Sequence, residues 1–138
     1  MNNKTATSIL LADDDRDDQE MFKDVLLEIL PQSIIHFVAN GRAVIDFLDN
    51  CADPDLPNLI VLDYNMPKGN GPDVLDILNG HFRYGGIPKI IWSTSGSEDF
   101  VSLCISKGAK GFFIKPDNFS ELKKMIGEIS RFAVVPPL

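Results

Sequence analysis

Leu59-Ile60-Val61-Leu62-Asp63 is an apolar run closed by a single acid. Four consecutive apolar residues leave no face for water. Such a run suits a central parallel strand covered by helices on both sides. Residues 51–58 before it hold two prolines and two aspartates and read as a loop; residues 64–71 after it are rich in turn formers.

The same rhythm extends in both directions. Upstream, residues 8–12 form a short apolar strand running into Asp13-Asp14-Asp15. Residues 15–30 carry Met21, Phe22, Val25, Leu26, Ile29 and Leu30 at helical spacing, and Pro31 stops them. Residues 34–38 are β-branched and aromatic, hence a second strand, and 41–50 read as a helix. Downstream, Pro72 opens a helix running to about 79, and residues 89–92 make a fourth strand ending at Ser93. A helix over 98–107 stops at Gly108. Residues 111–114 make a fifth strand ending at Lys115-Pro116. Asn118 and Glu121 have capping-box spacing and open a last helix. One domain is expected over 1–138, with its core at 8–132 and a short tail at 133–138.

Strands alternating with helices predict an α/β, doubly wound, five-stranded parallel sheet with helices on both faces. The common order is 2-1-3-4-5, and ligands bind beyond the carboxyl ends of strands 1 and 3. The residues that end the strands therefore matter most. They are Asp13 and Asp14, Asp63, Ser93, and Lys115. Strands 1 and 3 are neighbours in this order, so three carboxylates should converge. Close carboxylates repel, and a hard divalent cation relieves them. One carboxylate kept free is a nucleophile. A transferring phosphoryl group spreads charge over three oxygens, which a metal, an ammonium and a hydroxyl can meet.

Composition narrows the partners. The net charge of −7 argues against nucleic acid, which needs a basic footprint. Two cysteines make no disulfide framework. No secretory signal and no apolar stretch of membrane-spanning length is visible, so a cytoplasmic location is expected. His36 and His81 have no partner at metal-ligand spacing and read as structural or surface groups.

At Ile9-Leu10-Leu11-Ala12-Asp13-Asp14, Val61-Leu62-Asp63-Tyr64-Asn65-Met66-Pro67 with Gly71, Ser93-Thr94, and Lys115-Pro116, the chain resembles the receiver domains of response regulators, of the small CheY-like form. The long 51–58 segment, Asp99-Phe100-Val101 and the tail resemble small regulators paired with phytochrome-like kinases. The resemblance implies Asp63 as phosphoacceptor. It implies Mg²⁺ held by Asp14 and Asp63 directly, by the backbone carbonyl of Asn65, and by Asp13 through water. Ser93 and Thr94 would meet phosphoryl oxygens and Lys115 would pair with one. Phe112 falls at an aromatic switch position, and the Lys115–Pro116 bond is expected cis. The implied partners are a sensor histidine kinase or phosphotransfer protein and a separate target, the chain being a monomer or homodimer. The alternative is a Mg²⁺-dependent phosphohydrolase with an Asp nucleophile. That class needs a second Asp two residues later, where this chain has Asn65.

Overall fold

The structure is a computed structural model and describes residues 6–133. The expected tail lies, beyond Ala133, outside the described residues. The strands are β1 (Ser8–Ala12), β2 (Ile34–Val38), β3 (Leu59–Asp63), β4 (Lys89–Ser93) and β5 (Gly111–Ile114). The helices are α1 (Arg16–Ile29), α2 (Gly41–Asp49), α3 (Gly71–Leu78), α4 (Glu98–Ser106) and α5 (Phe119–Ser130). All pairings are parallel and the order is β2-β1-β3-β4-β5, as expected.

Each helix starts where a short polar side chain satisfies free backbone N–H groups. Asp15, Asn40, Asn70, Ser97 and Asn118 are the N-caps. At α5 the Asn118 side chain accepts the Glu121 N–H as the spacing suggested. A two-way capping box occurs at α3, between Asn70 and Asp73, where sequence reading placed only a turn. The loop at 51–58 contains a 3₁₀ turn at Asp53–Asp55. Arg83 pins this loop by bonding Asp53 and the Cys51 carbonyl. Tyr84, beside it, donates to Asp49 at 2.6 Å.

The sheet divides the core in two. Leu10, Ala12, Ile60, Leu62 and Ile91 face α2, α3 and α4. Ile9, Leu11, Leu59, Val61, Ile90 and Trp92 face α1 and α5. This alternation is the period-two geometry of strands applied to sequences apolar on both faces. At the far end from the strand tips, the buried Lys89 ammonium donates to the carbonyls of Tyr84, Gly85 and Ile87. Burial pushes its pKa below the ordinary lysine value.

Backbone approach fixes one position near the strand tips. Gly41 donates to the Pro67 carbonyl at 3.3 Å. A Cβ on Gly41 would lie 2.2 Å from the Gly69 carbonyl oxygen. The obstacle is backbone, so it cannot rotate away. Gly41→Ala is expected to lower stability by about 1–3 kcal/mol, the usual cost of overpacking. Urea unfolding measures it, and an unchanged midpoint would show that the contact between the start of α2 and the loop after β3 yields freely.

Candidate functional site

Strand parity decides which side chains meet. Asp13 continues the Ile9, Leu11 series and Asp63 the Leu59, Val61 series. Lys115 continues from Phe113, which packs on the same side. All three therefore emerge on the face of α1 and α5. The β1–β3 register pairs Ala12 with Leu62, which brings the next residues, Asp13 and Asp63, side by side.

Lys115 closes the cluster. Its Nζ lies 2.9 Å from Asp13 Oδ2, 2.9 Å from Asp18 Oδ2 and 3.3 Å from Asp63 Oδ2. Its backbone N–H donates to the Ser93 carbonyl at 2.7 Å, tying the tip of β5 to that of β4. The ammonium stands 4.7 Å from the centroid of the Trp92 ring, which supplies a cation–π floor. Phe22 meets Trp92 edge-on from α1. The lysine aims correctly through an ordinary backbone. The Lys115–Pro116 bond, expected cis, is trans, as are all peptide bonds among the described residues. Trans is the lower-energy form of an X–Pro bond by about 0.5–1 kcal/mol, and reaching the three carboxylates does not require the other isomer.

The carboxylates are not equivalent. Asp13 is buried, and its Oδ1 accepts the Asp15 N–H at 2.9 Å. Its carbonyl accepts from Gln19 Nε2. Asp63 is buried at the strand tip and accepts the Asn65 N–H at 3.3 Å. Asp14 is exposed. Asp13, Asp14 and Asp63 offer oxygens within 4.8 Å of one another, the one such metal-ligating group among the described residues. Hard oxygen donors of this kind suit a divalent cation. Burial raises the Asp63 pKa to about 6, and Asp13 adds to the rise while Lys115 opposes it. Lys115 is raised above its ordinary value by Asp13, Asp18 and Asp63 against the cost of burial.

Ser93 and Phe112 lie across the sheet from this face. Ser93 is buried, and its Oγ accepts the Ser95 N–H at 3.4 Å. Thr94 and Asn65 are exposed in the surrounding loops. Phe112 is half-buried, and its ring is seated against Gly96, where a Cβ would lie 2.6 Å from Cε1. Tyr64 stacks on Phe100 of α4 with centroids 4.6 Å apart. His81 stacks between Phe82 and Tyr84, and His36 meets Phe47; both lie outside the acidic cluster. The participant that sequence reading missed is Asp18. Its position in the first turn of α1 reads as a dipole-favoured acid, which hides its reach to Lys115.

Residues 9–127 match the response regulator receiver domain family, and the chain belongs to it. Response regulator Rcp1 of Synechocystis sp. is 29% identical over 127 residues, covering 90% of this chain and 86% of that protein. The solved Mn²⁺-bound form of Rcp1 superposes with a TM-score of 0.81 at 27% identity, covering 95% of this chain and 99% of the other. The phosphorylated cyanobacterial phytochrome response regulator RcpA superposes with a TM-score of 0.85 at 24% identity, covering 96% and 100%. The probable methanogenesis regulatory protein FilR2 of Methanothrix harundinacea is 30% identical over 100 residues, 71% of this chain. The chain spans 64% of the length of FilR2.

The raised pKa of Asp63 makes a signed prediction for the metal-free protein. Below the ordinary value of 3.8, Asp63 is protonated whether the chain is folded or unfolded, and stability is unaffected. Between 3.8 and about 6 the unfolded chain ionises first, so native stability falls as pH rises. Above about 6 the full cost is present. Asp63→Asn is therefore expected to be more stable than the parent at pH 8, by on the order of 2–3 kcal/mol, with the gap closing below pH 4. Lys115 keeps Asp13 and Asp18 as partners in that variant. Urea titrations across this range test it; a variant that is less stable at pH 8 would mean that the Asp63–Lys115 attraction outweighs burial.

Proposed function

We propose that this receiver takes a phosphoryl group on Asp63, with Mg²⁺ held by Asp14, Asp63 and the Asn65 carbonyl and by Asp13 through water. The observation that carries the reading is the Lys115 ammonium set between Asp13 and Asp63 at adjacent strand tips. An Asp63 oxygen attacks phosphorus, the bond from phosphorus to the donor breaks, and the donor leaves with the electron pair. Lys115 offsets charge gathering on the transferred oxygens. The metal, when bound, neutralises the crowded carboxylates and the incoming phosphoryl charge. Ser93, at the end of β4, and Thr94, in the loop after it, supply hydroxyls. Hydrolysis of the phosphoryl-aspartate is the chain's only further chemistry. A phosphohydrolase reading has no support at the position of its acid, which is Asn65.

The donor is a sensor histidine kinase or phosphotransfer protein, and the target is a separate protein. The setting is cytoplasmic; no helix among the described residues is long and apolar enough to cross a membrane. The chain acts as a monomer or homodimer and does not bind nucleic acid.

The output is a population shift felt at α4, β5 and α5. Gly96 follows Ser93 in the same loop, and the Phe112 ring rests on it. A phosphoryl group that draws Ser93 inward therefore moves the surface under the ring. Full burial of an aromatic side chain is worth about 1.5–3 kcal/mol. That tilts a two-state equilibrium roughly ten- to a hundredfold. Phe112 has no hydroxyl, so burial alone drives it.

Acetyl phosphate with Mg²⁺ is expected to add one phosphoryl group, read by intact mass, and Asp63→Asn to abolish it. Equal labelling of the variant would move the acceptor elsewhere. Phe112→Ala should label normally yet lose the NMR shifts that beryllium fluoride induces in β5 and α5. Shifts confined to the loops around Asp63 in the parent protein would exclude this route.

A further inference from the structure

Lys115 has three N–H donors and three carboxylate partners. Two of those partners, Asp13 and Asp63, also belong to the candidate metal group. Asp18 does not. It approaches from a different element, the first turn of α1, and its own backbone N–H is held by the Asp15 cap at 3.2 Å. The pair is shielded: the Lys115 side chain is 10% exposed and that of Asp18 27%. The oxygens of Asp13 and Asp63 are those that a metal and a phosphoryl group draw upon. Asp18 is thus the partner of Lys115 that phosphotransfer leaves untouched.

We infer that Asp18 is a positioning residue for phosphotransfer, tethering the Lys115 ammonium over Asp63 while the other two carboxylates change partners. The inference deepens, and rests on, the phosphoacceptor reading of Asp63. A lysine has a long stem with several rotatable bonds and a compact charge. The Trp92 ring floors it without fixing where along the ring it stands. A carboxylate at 2.9 Å supplies the missing direction.

The tether and simple charge repulsion predict opposite signs. Removing a negative charge near Asp63 should draw in an anionic donor and speed labelling. Losing the position of Lys115 should slow it, because misplacement by about 1 Å costs up to ~10²-fold when a charged group must meet a transition state. Asp18→Asn keeps the shape and removes the charge. With acetyl phosphate and Mg²⁺ it is expected to slow labelling of Asp63 roughly three- to tenfold, and to slow hydrolysis of the phosphoryl-aspartate similarly, since the same ammonium meets the phosphoryl oxygens in both reactions. Asp18→Glu should recover most of the rate. In a Lys115→Ala background the Asp18 substitution should no longer slow labelling, leaving at most the small gain from lost repulsion, which no purely structural role of Asp18 would produce. Labelling as fast as the parent, or a slowing of equal size without Lys115, overturns the inference. Failure of the phosphoacceptor reading looks different: the parent protein itself would not label, or Asp63→Asn would label equally. The tether is then judged by heteronuclear NMR of the Lys115 ammonium in the unphosphorylated chain. Its signal should be sharp in the parent and broadened in Asp18→Asn; an unaltered signal overturns the tether on its own.

Discussion

The ammonium of Lys115 is the point on which the site depends. Without it, Asp13 and Asp63 would face each other across adjacent strand tips with nothing between them. Two buried carboxylates so placed cannot both hold charge cheaply. The sheet brings them together because its hydrogen bonds and apolar faces require that register. The lysine makes the register tolerable in the absence of a metal. It also spends all three of its donors doing so, which leaves the cluster fully paired yet ready to exchange partners. A buried ionic group of this sort is weak evidence for net stability, because the cost of desolvating the charges offsets much of their attraction.

Strand parity then sends the strand-tip side chains to opposite faces. Asp13, Asp63, Trp92 and Lys115 sit over α1 and α5, whereas Ser93 and Phe112 belong to the side of α2, α3 and α4. The charged groups thus gather on the first face and the Phe112 ring on the second. The loop after Ser93 runs from the tip of β4, tied to Lys115 through the Ser93 carbonyl, to Gly96 under the Phe112 ring. Tyr64, next to Asp63 in the chain, adds a second bridge by stacking on Phe100 of α4.

Most of the fold was legible because the strands are short, mainly apolar runs and several helices carry an apolar stripe that ends near Pro or Gly. Asp13, Asp63, Ser93 and Lys115 could be picked out because they interrupt apolar runs at strand ends. Other features left no such mark. Asp18 lies among acids that the first turn of a helix favours anyway. The isomer of Lys115–Pro116 leaves no mark in the residue pattern, since X–Pro bonds differ by only about 0.5–1 kcal/mol between forms. Buried Lys89 looked like the ordinary start of a strand, since its carbonyl partners lie in an irregular turn. Which face each strand tip addresses needed the pairing register as well as the sequence.

The parity of the strands has a consequence for how such a chain can change length. Inserting or deleting one residue within β1, β3 or β5 would turn Asp13, Asp63 or Lys115 to the other side of the sheet. The cluster would lose a member although its amino acid were still encoded. Length can vary instead in segments that carry no member of the cluster. The 51–58 segment is one, held by Arg83 at Asp53 and at the Cys51 carbonyl, away from the strand tips. Lineages that share this architecture should therefore differ by insertions there, and keep an unaltered residue count from strand start to acidic tip.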